Sequence, residues 1–343
     1  MVLKLLTLKD AQVLDLDKFE YSPHSKWLME DMMDLGIRIG LVDPSNLHSV
    51  RYFRGVVDLS VHTYWYAPRR AFRLATLWST WLFYIDDQYD ESKEFGTNIE
   101  RVRQLMEDCL VLVKTGKAPE DSPFWRLGLA FYEAMDELLP SEEVHWRMVE
   151  IVARYFFRGA IEQMKYWRDG VVPTFEEFEE RRMYDSATLP CEIMVELCGD
   201  AVLPTSLFHD PRVDKLKSLW ARQIALLNDI YSYDKEVLKV GTDWNLLRVY
   251  MHHSNPPLSL EEAIDKAIRY INSLSAEFEQ VGHELIDEPT TKEYADVLER
   301  YVYAMRQWMV GHIVHSNDTY RYSDPLDTKP KKYKLPPYLR ARS

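Results

Sequence analysis

The sequence predicts a single all-α domain, and three observations carry that reading. Apolar residues recur at helical spacing along most of the chain, glycine is scarce at 12 residues, and no apolar/polar alternation lasts long enough for a strand. No segment repeats at a fixed period, which sets aside solenoids and propellers. With 343 residues and 46% hydrophobic content the chain can enclose a sizeable core.

The elements follow in chain order. Residues 1–24 hold short apolar runs ending in Tyr21-Ser-Pro-His24 and read as an arm laid on the body. Ser25 is the expected N-cap of a first helix reaching Ile37, with Trp27, Leu28, Met32 and Leu35 at helical spacing and Asp43-Pro44-Ser45 as the break behind it. Pro68 opens a longer helix from Arg69 to about Glu94, apolar along most of its length and acidic at its C-terminal end. Helices are expected over 98–114, 122–139 and 141–168, separated by Gly116-Lys-Ala-Pro119 and by Pro140. The last of these is aromatic throughout, as a helix enclosed by others should be. The Thr174 hydroxyl and Glu177 form a capping box for a helix ending near Ser186. A short apolar stretch from Pro190 to Gly199 precedes Asp210-Pro211, which starts a long helix ending near Lys239. Residues 241–248 read as loop, Ser259 and Glu262 as a second capping box, and Tyr294 to about Val314 as the last long helix. The helical domain then spans 25–325, and the basic, proline-rich residues 326–343 read as a flexible tail.

A net charge of −13 with pI ≈ 5.3 argues against general attraction to nucleic acid or to an anionic membrane. An anionic substrate would have to be gathered locally, by metal ions and placed basic residues. No run of about 20 apolar residues occurs, and the N-terminal apolar run is too short for a signal peptide. Cys109, Cys191 and Cys198 lack metal-ligand spacing and disulfide density, so they read as core residues of a cytoplasmic protein.

Two polar stretches carry the chemistry. In Asn228-Asp-Ile-Tyr-Ser-Tyr-Asp-Lys-Glu236, the side chains of Asn228, Ser232 and Glu236 fall within about 80° of one another around a helix. An amide oxygen, a hydroxyl and a carboxylate make a hard oxygen site of the kind Mg²⁺ takes. Lys235 falls on the same side, where a cation makes sense if an anion such as diphosphate shares the pocket. The second stretch, Asp86-Asp-Gln-Tyr-Asp90-Glu91, places Asp86 and Asp90 four apart, and their repulsion would be relieved by divalent ions.

The acidic stretch, followed 142 residues later by Asn-Asp-x-x-Ser-x-x-Lys-Glu, resembles the paired metal motifs of class I terpene cyclases, in particular the single-domain microbial kind. The resemblance covers about residues 25–322. It implies a helical bundle around a central cavity, with Asp86, Asp90, Asn228, Ser232 and Glu236 as ligands of three Mg²⁺ ions. It further implies Arg182 as a diphosphate sensor, Asp185 as its link to a helix break, and Ser186 as a backbone carbonyl turned to substrate. Lys235, Arg321 and Tyr322 would bind diphosphate, with Arg321 also paired to Asp87. Phe83, one turn before Asp86, would line the cavity. His315 stands where relatives commonly have Trp, which exchanges a π face for a ring that can hydrogen-bond; Trp308 is then expected to be structural.

The activity so implied is that of a Mg²⁺-dependent lyase that ionises a linear prenyl diphosphate and cyclises the cation. Farnesyl diphosphate, giving a sesquiterpene, is the first choice, and geranylgeranyl diphosphate, giving a diterpene, the second. A chain-elongating prenyl synthase would carry a second Asp-rich motif where this chain has Asn, Ser and Glu. A catalytically silent helical scaffold would show no Mg²⁺-dependent ligand stabilisation. A homodimer is the assembly expected by analogy.

Overall fold

In the computed structural model, which describes residues 21–89 and 97–319, apolar stripes spaced for helices have become fourteen α-helices, with no strand among the described residues. The expected N-terminal arm lies outside them except for its last residues, as do the C-terminal tail, Asp90, Arg321 and Tyr322.

Helix α1 (Ser25–Arg38) is capped at His24 without a side-chain bond, so Ser25 is the first helical residue and not the expected cap. Helix α2 (Leu47–Thr63) fills a stretch that the sequence reading left unassigned. Its signal was present: Asn46 caps it by accepting from the backbone N–H groups of His48 and Ser49, 3.0 and 3.2 Å away. Helix α3 (Arg69–Tyr89) is buried along most of its length. Helices α4 (Ile99–Thr115) and α5 (Pro123–Leu138) lie close to their expected bounds.

The aromatic segment is one continuous rod but not one α-helix. It runs as α6 (Glu142–Arg154), a π-helical turn (Tyr155–Ala160) and α7 (Ile161–Asp169). The capping box of α8 (Phe175–Asp185) forms as read, and so does that of α13 (Leu260–Asp287). Between them come α9 (Glu192–Cys198), the single turn α10 (Thr205–Phe208), α11 (Pro211–Tyr233) and α12 (Leu246–His253). Helix α11 continues into a second π segment, Asp234–Val240, so the expected single helix to Lys239 changes pitch within the motif. Helix α12 corrects the loop assigned to 241–248: the side chain of Asn245 accepts from Leu247 N–H at 3.0 Å and starts a helix there. Helix α14 (Ala295–Asp318) completes the set.

Trp78, Trp81, Trp220, Tyr64, Phe72, Phe131 and Phe178 are fully buried, so the core is held largely by aromatic packing. Gly311 on α14 lets the last helix sit against α2, because a Cβ there would stand 2.2 Å from the carbonyl oxygen of His62. All three cysteines are buried and free. No described helix is long and apolar enough to cross a membrane.

Candidate active site

Helices α2, α3, α8, α11 and α14 enclose a cavity of about 980 Å³, counting its open mouth. One end is polar. Asp86 from α3 faces Asn228, Ser232, Lys235 and Glu236 from α11 and its π extension, with Arg182, Asp185 and Ser186 from the end of α8 completing the wall. The two motif-bearing helices meet directly, since Lys235 Nζ lies 4.0 Å from Asp87 Oδ1. The rest of the lining is largely apolar, with Leu59, Leu82, Phe83, Ile224, Ala225 and Trp308 beside Ser79, Thr188, His312 and His315.

Arg182 is the best-held polar group of the site. Its guanidinium, 8% exposed, donates to Asp185 at 2.7 Å, to Asp229 at 2.7 and 3.0 Å, and to the Asn228 amide oxygen at 3.4 Å. Asp185 also accepts from the indole N–H of Trp244. Asp229 accepts the backbone N–H of Leu246 at 3.0 Å, and Asn245 donates to the Asp229 carbonyl at 2.9 Å and to Glu236 at 3.4 Å. One buried cation thus ties α8, α11 and the start of α12 together. Burial pushes the Asp185 carboxyl up to about 6, with Arg182 and Trp244 pulling it back and Asp86 opposing them. Asp229 is pushed up by burial as well, against the pull of Arg182. The Arg182 charge is fixed: against its own burial, Asp229, Asp185 and Glu236 hold the guanidinium pKa well above its ordinary value.

The residues present suit a divalent cation. Ser232 Oγ is buried in the cavity wall without a hydrogen-bond partner, an arrangement that costs about 1–3 kcal/mol unless a ligand uses the lone pairs. It lies between Asn228 and Glu236 in the same wall, so the donors are an amide, a hydroxyl and a carboxylate. No group of three His, Cys, Asp or Glu side chains suited to a metal occurs among the described residues, and the donors in this wall are the hard oxygens of Asn228, Ser232 and Glu236.

Several placements differ from expectation. Trp308, read as structural, lines the cavity; its ring stacks on His312 at 5.8 Å and 20° and meets Trp220 edge-on. His315 does reach the cavity, but its Nε2 is 3.2 Å from the Gly55 carbonyl and its ring packs edge-on against His62. His312, not singled out in the sequence, is a second imidazole in the wall, and burial lowers it to about 4, which keeps it neutral. Asp229 and Asn245 were also missed. Asp229 sits one residue, about 100°, round the helix from Asn228, so it faces Arg182 inside the protein and not the cavity. Asp90, Arg321 and Tyr322 lie outside the described residues, and Asp87, expected opposite Arg321, has Lys235 4.0 Å away.

With this geometry in place, similarity to known proteins decides the family. Residues 77–277 match the model of terpene synthase family 2, C-terminal metal binding. The chain is a terpene synthase. It is 26% identical over 308 residues to terpene synthase 4 of Physarum polycephalum, covering 88% of each chain. It is 27% identical over 309 residues to the (+)-T-muurolol synthase ((2E,6E)-farnesyl diphosphate cyclizing) of Roseiflexus castenholzii, covering 88% of this terpene synthase and 90% of that one. Among solved structures, the linalool/nerolidol synthase of Streptomyces clavuligerus superposes with a TM-score of 0.74 at 18% identity, covering 88% of this chain and 99% of that one. The terpene synthase is therefore a lyase with the all-α class I fold, and its matched region is a metal-binding one.

Proposed function

We propose that this terpene synthase ionises a linear prenyl diphosphate, farnesyl diphosphate first, and cyclises the resulting cation to a sesquiterpene, with geranylgeranyl diphosphate as the competing substrate. The observation that carries the reading is that one cavity is lined both by oxygen donors from the two motifs and by a largely apolar, aromatic set. Asp86, Asp90, Asn228, Ser232 and Glu236 would hold Mg²⁺, three ions in all. When bound, the metal would supply positive charge for a departing diphosphate. Arg182 and Lys235 donate to the same anion from the chain, and Arg321 and Tyr322 are proposed to join them. Asp185 and Asp229 hold Arg182 in place before substrate arrives, so its charge needs no reorganisation when the C–O bond breaks. Ser186, in the cavity lining, is proposed to turn its backbone carbonyl to the substrate.

Phe83 and Trp308 supply aromatic rings to the cavity lining, and Leu59, Leu82 and Ile224 would exclude water from the cation. His315 takes part in this wall as a hydrogen-bonding ring. The free, buried cysteines suit a protein working in the cytoplasm, and a homodimer is the proposed assembly.

The test is incubation of the purified protein and Mg²⁺ with geranyl, farnesyl and geranylgeranyl diphosphates, reading diphosphate release and volatile products together. Release is expected from farnesyl diphosphate, with a cyclic C15 product, and loss on chelation. Alanine at Asn228, Ser232 or Glu236 should lower turnover by about two orders of magnitude or more with helical content kept. No diphosphate release from any of the three substrates overturns the reading.

A further inference from the structure

The π-helical turn Tyr155–Ala160 touches both halves of the polar wall. Tyr155 is fully buried, and its hydroxyl lies 3.1 Å from that of Tyr89, also fully buried at the end of α3. Tyr89 donates to Asp86 Oδ1 at 2.8 Å. A phenol has one proton, so with Tyr89 donating to Asp86 the bond between the phenols is donated by Tyr155. The chain of donors therefore runs from Tyr155 through Tyr89 to the carboxylate, each bond polarising the next. It engages Oδ1 of Asp86, and a carboxylate has lone pairs on its other oxygen left for a cation. Four residues after Tyr155, the same turn presses on the end of α8: a Cβ on Gly159 would lie 2.6 Å from the nitrogen and Cα of Asp185. The turn also explains why Tyr155 points where it does. Buried pairs recur at strict four-residue intervals, Ile151/Val152, Tyr155/Phe156 and Gly159/Ala160, a period longer than the 3.6 of an α-helix and suited to the wider i→i+5 turn.

We propose that Tyr155 is a positioning residue for Asp86, acting through Tyr89, and that the π turn carrying it sets the metal-facing carboxylate in register with the Arg182–Asp185 pair. This rests on the reading of the cavity as a metal-diphosphate site. The test is thermal stabilisation of the full chain by Mg²⁺ with inorganic diphosphate, titrated in Mg²⁺, which needs no turnover. Tyr155→Phe removes the donor and keeps the ring. The Mg²⁺ concentration for half-maximal stabilisation is expected to rise about three- to tenfold, the worth of one polar contact in a buried network. Tyr89→Phe should raise it by at least as much, and Tyr89→Phe/Tyr155→Phe no further than Tyr89→Phe alone. A purely packing role would lower the melting temperature without Mg²⁺ and leave the Mg²⁺ midpoint where it was. A wild-type midpoint in Tyr155→Phe, or effects of the two single variants that add in full, overturns the positioning role alone. A wild-type protein that Mg²⁺ and diphosphate do not stabilise overturns both this role and the reading it rests on.

Discussion

At the scale of single residues, the site is organised by what is buried as much as by what is exposed to the cavity. Asp229 is fully buried, takes two bonds from Arg182 and one from Leu246 N–H, and so holds the guanidinium against α11. Removing one partner of such a pair strands the other, and Asp229→Ala is expected to cost about 3–5 kcal/mol of stability in urea denaturation. Asp229→Asn, which keeps the shape and one acceptor, should cost less. If Asp229→Ala unfolds with the wild-type midpoint, the aspartate does not anchor Arg182. The sequence made Asn228, Ser232 and Glu236 legible because helical geometry alone puts three oxygens on one face. Asp229 was not legible as a partner of Arg182, because that pairing joins helices 47 residues apart and depends on how α8 packs on α11.

At the scale of elements, the two capping boxes read well, while single caps and helix pitch did not. The boxes at Thr174/Glu177 and Ser259/Glu262 form as expected, since they depend on residues within one turn. The Asn46 and Asn245 caps carry equally local signals, yet Asn46 stands behind Asp-Pro-Ser and Asn245 behind Gly-Thr-Asp-Trp, where turn residues mask a helix start. The π turn was written in the four-residue spacing of Ile151, Tyr155 and Gly159, a deviation easily absorbed into an ordinary aromatic helix. Its packing gives a sharp expectation. Gly159→Ala places a methyl against the backbone of Tyr184 and Asp185, which cannot swing aside as a side-chain tip would. The variant should lose about 1–3 kcal/mol in thermal or urea unfolding. Unchanged stability would mean that the α8 terminus has room the structure does not show.

Across the whole molecule, a buried ionic cluster outside the cavity joins α6, α9, α11 and α14, and it makes stability depend on pH. Glu192 accepts from Lys217 at 2.8 Å and from Tyr301 at 2.9 Å. Its neighbour Glu196 is fully buried, has Arg147 at 3.6 Å, and meets the backbone N–H of Leu203 in a contact that falls short of hydrogen-bond geometry. Burial, with Glu192 adding to it, pushes the Glu196 carboxyl up to about 8, against the pull of Arg147 and Lys217. Arg147, Lys217 and the Leu203 N–H would by themselves lower that value, but a carboxylate without a well-formed hydrogen bond in an apolar interior is penalised more than they repay. The folded state thus binds this proton more tightly than the unfolded chain does, where the value is that of an ordinary glutamate. Its contribution to stability is fully present below about 4.5, the unfolded value, and is lost as pH rises through about 8. The Glu196→Gln variant keeps the shape and has no proton to lose, so it should gain on the wild type between pH 5.5 and 8.5, by up to about 1.4 kcal/mol per pH unit. Asp185 and Asp229 are raised by burial in the same direction, but they are present in both proteins and cancel in the difference. Urea denaturation of both proteins across that range measures it, and a difference in stability that stays constant with pH would show that Glu196 is held ionised.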